Sequence, residues 1–491
     1  MFPHEGTCIR GKELLIWALD RNSTPANFCL TLAPWSSVSP YLRTRMKKIF
    51  LIGAGRSATM LIEYLLKHAP TENWEVTIGD VSLSVVLEKT KGHASARPIQ
   101  FDIHDPAQTE VEVLRADIVI SLLPAHMHLS VAHACVKFSK SLVTASYSTP
   151  DMEALHEEAI RKGVILLNEC GLDPGIDHMS AMEIIRDIND HGGELNAFYS
   201  YTGGLVAPES NDNPWGYKFS WNPRNVILAG HGTARYIEKG KYKYIPYNRL
   251  FGQVVPVVVE GLGSFDGYAN RDSLSYRKTY GIESIPTLLR GTLRQSGYCA
   301  SWDIFVRLGL TDDTYVVENS ESMTYAQLVE SYLPMTSSVT SLEQAVADFC
   351  GIALDSDVMQ RVLWTGLLST QLIGLKSATP AQILQQLLEA KWKLKPGDKD
   401  MIVMQHRFEY VVGVKKFRRC SSLVVIGDDD IHTAMAKTVG LPVGIAARNI
   451  LKGTITQTGV CIPVEAEICK PVLTELEEYG VHFTESLEEL A

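Results

Sequence analysis

The segment Asn168-Glu169-Cys170-Gly171-Leu172-Asp173-Pro174-Gly175-Ile176-Asp177-His178 crowds carboxylates, a thiol and an imidazole between a strand pattern and a helix pattern. Groups of these types move protons when a fold sets them at a crevice. Asp173 is the first candidate for an acid/base role, and His178, Tyr147 and Cys170 are weaker ones. Asp173 has an equally good structural alternative as the cap of the next helix, with Pro174 in its first turn, while His178 on that helix is by default a satisfied core histidine. Arg271 in Ala269-Asn270-Arg271-Asp272 and Arg294 in Gly291-Thr292-Leu293-Arg294 are natural carboxylate clamps, since a guanidinium grips a carboxylate through two parallel hydrogen bonds. Either could equally be a surface ion pair.

A second constellation suits phosphate. Lys47 to Ile52 is an apolar strand that runs straight into Gly53-Ala54-Gly55-Arg56-Ser57-Ala58 and then a helical pattern. Gly53 permits the tight turn, Gly55 lets backbone approach a pyrophosphate, and Ala58 is small enough for close helix–strand packing. Free amides at the helix start would hold the phosphates. The next strand, Trp74 to Asp80, ends on an acid that can accept hydrogen bonds from both ribose hydroxyls of NAD and would repel the 2′-phosphate of NADP. NAD is therefore the expected cofactor.

From Met46 to about Asn168 strands and helices alternate, with further strands at Ile99–Ile103, Ile118–Leu123, Ser141–Ser146 and Val164–Asn168. That order predicts a doubly wound parallel sheet, an α/β fold with a Rossmann-type domain over 46–170. By topology alone its ligand crevice is lined by Asp102, Leu123 and Thr144 to Tyr147. From about Gly171 the pattern becomes irregular and aromatic, with strands at Leu195–Tyr201, Val254–Val259 and Met401–Val411, which predicts an α+β second domain over 171–430. Helical periodicity runs from about 308 to 394, with helix starts at Ser341 and at Thr379-Pro380. Pro442 is expected to end one helix before another begins over Val443–Leu451.

The 491 residues carry a net charge of −10 with no strong Lys/Arg cluster, which argues against a nucleic-acid partner. The densest basic run, Lys415 to Arg419, reads as a solvated strand end. No apolar run approaches the roughly 20 residues of a membrane span, so no membrane partner is expected. Nine cysteines, scattered singly, fit neither a disulfide framework nor a zinc site, and no metal is expected. Residues 1–45 lack the later periodicity and read as an extension before Met46-Lys47-Lys48; the expected location is cytoplasmic, or mitochondrial if that extension is a presequence.

Several blocks together resemble the L-glutamate-forming saccharopine dehydrogenases of NAD-dependent type, including the dehydrogenase half of the bifunctional lysine-degrading enzyme. They are Val143 to Tyr147, Gly171 to His178, Tyr217-Lys218-Phe219-Ser220-Trp221, Asn270 to Ser273, Arg290 to Arg294, Asp398 to Met404 and Ala434 to Pro442. The resemblance implies cofactor contacts at Gly53, Ala54, Gly55, Arg56, Ser57, Asp80, Asp102, Ile103, Leu123, Val143, Thr144, Ala145, Leu172, Asp173 and Pro174. It implies substrate contacts at Ser146, Tyr147, Asp173, Ser220, Arg271, Thr292, Leu293 and Arg294. It further implies a homodimer, a helical insertion in the second domain, and a C-terminal segment, about 431–491, that completes the first. In NADP-using fungal relatives an arginine follows the second strand, where this chain has Val81 beside Asp80. Three positions by the implied pocket depart from the family pattern: Thr202 for cysteine, Val206 for proline and Gln295 for tyrosine.

The implied reaction oxidises saccharopine, an amino-acid substrate with three carboxylates, to L-glutamate and 2-aminoadipate 6-semialdehyde. Rival readings are an oxidoreductase of the same superfamily acting on a carboxylated polyamine such as carboxynorspermidine, and a non-catalytic NAD-binding sensor.

Overall fold

The structure, a computed structural model, describes residues 45–335 and 341–491. Apart from Arg45, the extension expected over 1–45 lies outside the described residues.

Short apolar runs form the first strands: β1 (Lys47–Ile52), β2 (Trp74–Asp80), β3 (Ala96–Gln100), β4 (Ile118–Ser121), β5 (Ser141–Thr144) and β6 (Ile165–Leu167). They lack polar/apolar alternation because the central ones are buried on both faces, as parallel strands under crossover helices must be. The helix Thr59–Glu72 buries Leu61, Ile62, Leu65, Leu66 and Ala69 against this sheet and stops at Asn73, whose φ of 54° ends the helical hydrogen bonding.

The second domain contributes β7 (Glu194–Val206), β8 (Ala234–Glu238), β9 (Lys241–Ile245), β10 (Val255–Val259), β11 (Gly263–Ala269), β12 (Thr287–Gln295), β13 (Asp400–Val412) and β14 (Lys415–Ile426). Last come β15 (Gly459–Cys461) and β16 (Phe483–Leu490). The first sheet has the order β15-β6-β5-β4-β1-β2-β3, the doubly wound arrangement with its switch point between β1 and β4. The second is a nine-stranded mixed sheet ordered β10-β11-β12-β7-β13-β14-β16, with β8 and β9 branching from β12. One face of it packs under the helix Ile176–Asp190, where Ile184, Ile185 and Ile188 meet Phe198 and Phe408. Five helices, Tyr298–Arg307, Tyr325–Tyr332, Leu342–Cys350, Asp357–Thr365 and Pro380–Trp392, lie between β12 and β13, so the insertion begins about ten residues earlier than its periodicity suggests. Ser341 and Thr379 cap two of them, accepting from the amides of Gln344 and Gln382.

Two expectations are corrected. Pro442 does not end a helix: one helix runs Ala434–Lys452 through it. A proline inside a helix costs about 3 kcal/mol, but this helix lies against Thr59–Glu72 so closely that a Cβ on Gly444 would come within 2.8 Å of Leu61 and Tyr64. That buried face outweighs one missing amide. The C-terminal segment, moreover, divides: the long helix and β15 join the first domain, whereas β16 pairs with β14 of the second sheet. Charge selects this edge, because Lys415 pairs with Glu489, Arg418 with Glu488 and Arg419 with Glu485. The basic run is thus matched by the acidic strand beside it.

The long helix also ties the domains together at its start. Thr433 accepts from the amide of Ala436, and the buried Asp400 carboxylate, at the beginning of β13, accepts from Ala434 N at 2.5 Å and Met435 N at 2.9 Å. Asp400→Ala is expected to cost about 2–3 kcal/mol, the loss of two charge-assisted bonds to otherwise orphaned amides, read as a lowered midpoint of denaturant unfolding. An unchanged midpoint would mean that water replaces the carboxylate without loss.

Candidate active site

The turn after β1 has the form that phosphate binding requires. Gly53 has a φ of 99°, and a Cβ there would lie 2.9 Å from the Leu122 carbonyl oxygen, so only glycine fits. A Cβ on Gly55 would meet nothing within 4 Å, which leaves space over the turn for a ligand. Gly55 and Arg56 are exposed, Ser57 half-buried and Ala58 buried. Among the described residues the amides of Gly55 and Arg56 find no backbone acceptor. Asp80 accepts from Ala54 N at 2.8 Å through one oxygen and from Ser82 N at 3.0 Å through the other. Each carboxylate oxygen keeps a second acceptor site, so Asp80 both braces the turn and can still receive ribose hydroxyls. These residues fit a dinucleotide.

The other expected cofactor contacts differ in exposure and partners. Asp102 is exposed and accepts from His104 N, and Ile103 and Leu123 are half-buried. Val143 and Leu172 have side chains in the core, so only their backbone can face a ligand. Thr144 is buried with its hydroxyl turned inward, Ala145 is half-buried, and Pro174 follows Asp173 through a cis peptide.

Two carboxylates of the Asn168–His178 segment are brought together by Arg290, which the sequence left unranked. The Arg290 guanidinium is buried and pairs with Asp173 at 2.8 Å and Asp177 at 2.5 Å. The two acids diverge. Burial would raise Asp177, yet His178, Arg290 and the Gly175 amide hold its carboxyl below the usual carboxylate range. Asp173 is pushed up, first by burial and then by the neighbouring Asp177 charge, with Arg290 pulling the other way. Two carboxyls whose surroundings drive them apart are the pattern of an acid/base site. Asp173 is also the one in contact with Tyr147, whose hydroxyl donates to it at 3.4 Å.

His178 is a satisfied core histidine. It is fully buried, with Nε2 2.9 Å from Glu169 and Nδ1 2.7 Å from the Tyr280 hydroxyl. Glu169 also accepts from the Tyr276 hydroxyl at 3.0 Å and from Ser148 N. This network forms a floor under Asp173 and the Tyr147 turn. Cys170 is buried, with its thiol pushed up by burial, and cannot serve as an acid/base group near neutral pH.

The arginines separate as sharply. Arg290, Thr292 and Arg294 alternate along β12 and so project from one face. Arg294 is 4% exposed and has no acid partner among the described residues: one terminal nitrogen donates to the Leu293 carbonyl at 3.2 Å, Nε has no acceptor, and Tyr217 and Tyr298 flank it. Leu293, on the opposite face, has its side chain wholly inside the core, so only its backbone can meet the substrate contact expected there. Arg271 is exposed, has a φ of 43°, and lies over the Tyr147 ring at 5.5 Å. Ser220 is buried next to Phe219, whose carbonyl accepts from Arg56 at 3.4 Å, so the aromatic block of the second domain meets the phosphate turn of the first. Ser146 and Tyr147 are half-buried. Thr202 lies on β7 directly opposite Thr292.

Fold and site together define a two-domain oxidoreductase architecture, with a dinucleotide turn in the first domain and a cluster of carboxylates and arginines in the second. Residues 49–167 match the saccharopine dehydrogenase NADP binding domain and residues 171–481 the saccharopine dehydrogenase C-terminal domain. The chain belongs to the saccharopine dehydrogenase family. It is 33% identical over 452 residues to saccharopine dehydrogenase [NADP(+), L-glutamate-forming] of Schizosaccharomyces pombe, covering 90% of this chain and 99% of that one. It is 36% identical to the mitochondrial alpha-aminoadipic semialdehyde synthase of Rattus norvegicus, covering 89% of this chain but 47% of the longer rat protein. The solved apo saccharopine dehydrogenase (L-Glu forming) from Saccharomyces cerevisiae superposes with a TM-score of 0.81 at 32% identity, over 90% of this chain and 100% of that one.

Proposed function

We propose that the protein oxidatively cleaves saccharopine, with a nicotinamide dinucleotide and water, to L-glutamate and 2-aminoadipate 6-semialdehyde. The observation that carries this reading is Arg294: a buried guanidinium with no carboxylate partner among the described residues, on the same face of β12 as the Arg290 that pairs with Asp173, whose carboxyl is pushed up. Burying an unpaired charge is costly unless a ligand supplies the counter-charge. A substrate with three carboxylates supplies it, and the exposed Arg271 can take a second.

The dinucleotide, held by Gly53 to Ser57 and Asp80, supplies the hydride acceptor. This chain's residues do the rest. Asp173, ionised, takes the proton from the secondary amine so that its nitrogen lone pair can drive hydride loss from the lysine-derived carbon. Water then adds to the resulting carbon–nitrogen double bond, and the nitrogen leaves with glutamate. Arg294 and Arg271 fix the carboxylates so that the reacting carbon cannot drift, the positional effect that contributes most when two molecules must meet.

NAD is the form proposed. The fungal relatives' names specify NADP(+), but here the strand ends on the Asp80 carboxylate, and Val81 beside it is 66% exposed without charge to offer a 2′-phosphate. Reduced-cofactor absorbance, followed with saccharopine and either NAD or NADP, tests both assignments. Turnover should favour NAD, and Asp80→Ser should shift the NADP/NAD ratio of kcat/KM upward by about 10- to 100-fold, the loss of one carboxylate's attraction and repulsion. A native preference for NADP would overturn the NAD assignment and leave the reaction assignment intact.

A further inference from the structure

A buried polar chain outside the groups already assigned leads to the substrate wall. His128 opens the helix His128–Lys137 just after β4 and is 4% exposed. Its Nδ1 lies 2.9 Å from the Ser121 hydroxyl at the end of β4, and its Nε2 lies 2.7 Å from the Ser146 hydroxyl. The Thr144 hydroxyl lies 3.3 Å from Nε2 and accepts from Ser146 N at 3.3 Å. Ser121 and Thr144 are sealed from solvent, whereas Ser146 is half-buried, beside Tyr147 and its contact to Asp173. The ring is therefore clamped on its inner side and touches the crevice only through one hydroxyl.

We infer that His128 is a positioning residue that sets the direction of the Ser146 hydroxyl toward the substrate. Burial, with His126 nearby, pushes His128 down to about 4, so the imidazole is neutral at working pH. A neutral imidazole has one N–H and one lone pair, so it must donate to one serine and accept from the other. Ser146 Oγ is thereby held in one rotamer, and its remaining hydrogen-bonding capacity faces the crevice. A serine on a free rotor would have to be ordered by the substrate itself, at a cost in binding. The inference rests on the functional reading above and on the substrate contact that the family resemblance implies at Ser146.

The test compares His128→Asn, which keeps a polar atom near Nδ1 and loses the one at Nε2, with His128→Gln, whose amide nitrogen reaches toward the Nε2 position. His128→Asn and Ser146→Ala should each lower kcat/KM for saccharopine about tenfold, the usual effect of one hydrogen bond. The loss should fall mainly on KM for saccharopine, the KM for the dinucleotide should hold, and the double variant should be no worse than either single one. His128→Gln should recover most of the activity. Should His128→Asn fail to fold, Ser121→Ala, which frees the other nitrogen, enters the same cycle with Ser146→Ala and should likewise show no additive loss.

Additive losses, or equal losses in the Asn and Gln variants with lowered melting temperatures, would make His128 a core residue and overturn the inference. Normal saccharopine kinetics in Ser146→Ala would overturn it as well. A native enzyme that does not turn over saccharopine would sink the functional reading and this inference together; an active enzyme with an additive cycle sinks this one alone.

Discussion

Replacing Arg294 with methionine should lower kcat/KM for saccharopine by roughly 10²- to 10³-fold and leave the melting temperature unchanged or higher. The first half follows from the pairing: removing one partner of a buried, hydrogen-bonded charge pair costs about 2–5 kcal/mol, and about 1.4 kcal/mol is a factor of ten. The second half follows from the free protein, in which, among the described residues, Arg294 has only the Leu293 carbonyl and two tyrosine faces. A buried cation without a counter-ion is a burden on the fold, and an apolar side chain of similar length relieves it. Steady-state kinetics and thermal unfolding of the same preparation separate the two effects. A variant that melts well below the native protein and binds saccharopine normally would show Arg294 to be a structural cation, and the substrate assignment would lose its principal support.

Asp173→Asn should reduce kcat by about 10²- to 10⁴-fold, the range for removing a positioned acid/base group, with a much smaller change in KM. The fold should tolerate the change, because Asp177 still neutralises Arg290 at 2.5 Å. The pH profile gives the sharper signature. Deprotonated Asp173 is the working form, so the rate rises with pH through the pKa of that carboxyl. Burial and the Asp177 charge raise it, so the acid limb of the native profile should lie above the ordinary aspartate value of about 3.9. In Asp173→Asn the limb attributable to this group should vanish. A limb that persists unchanged in the variant would assign the proton transfer to another group and return Asp173 to helix capping and charge pairing.

The sequence by itself determined what depends on local chemistry. The positive φ at Gly53 and the open space over Gly55 follow from residue types in one turn, and Asp80 follows from the strand that turn requires. The two domains and the caps at Ser341 and Thr379 are legible for the same reason: periodicity and capping involve residues within a few positions of one another. Strand order puts Ser146 and Tyr147 at the crevice, whereas a family pattern, itself a record of a fold, supplied Ser220 and Arg271, which spacing alone does not rank.

Only tertiary structure decided the charges. Arg290 and Arg294 stand on one strand, on one face, and nothing in their spacing says which of them is already paired. What separates them is that Asp173 and Asp177, more than a hundred positions away, reach one and not the other. The same holds for His178, Glu169 and His128, whose roles are set by hydroxyls on distant elements. It holds for Pro442, where packing against another helix outweighs a local helix-breaking preference, and for β16, which joins the far sheet because complementary charges wait on its edge. A side chain's type is a local fact. Whether a charge is already paired or still awaits a ligand depends on what the whole chain brings within about 3 Å of it.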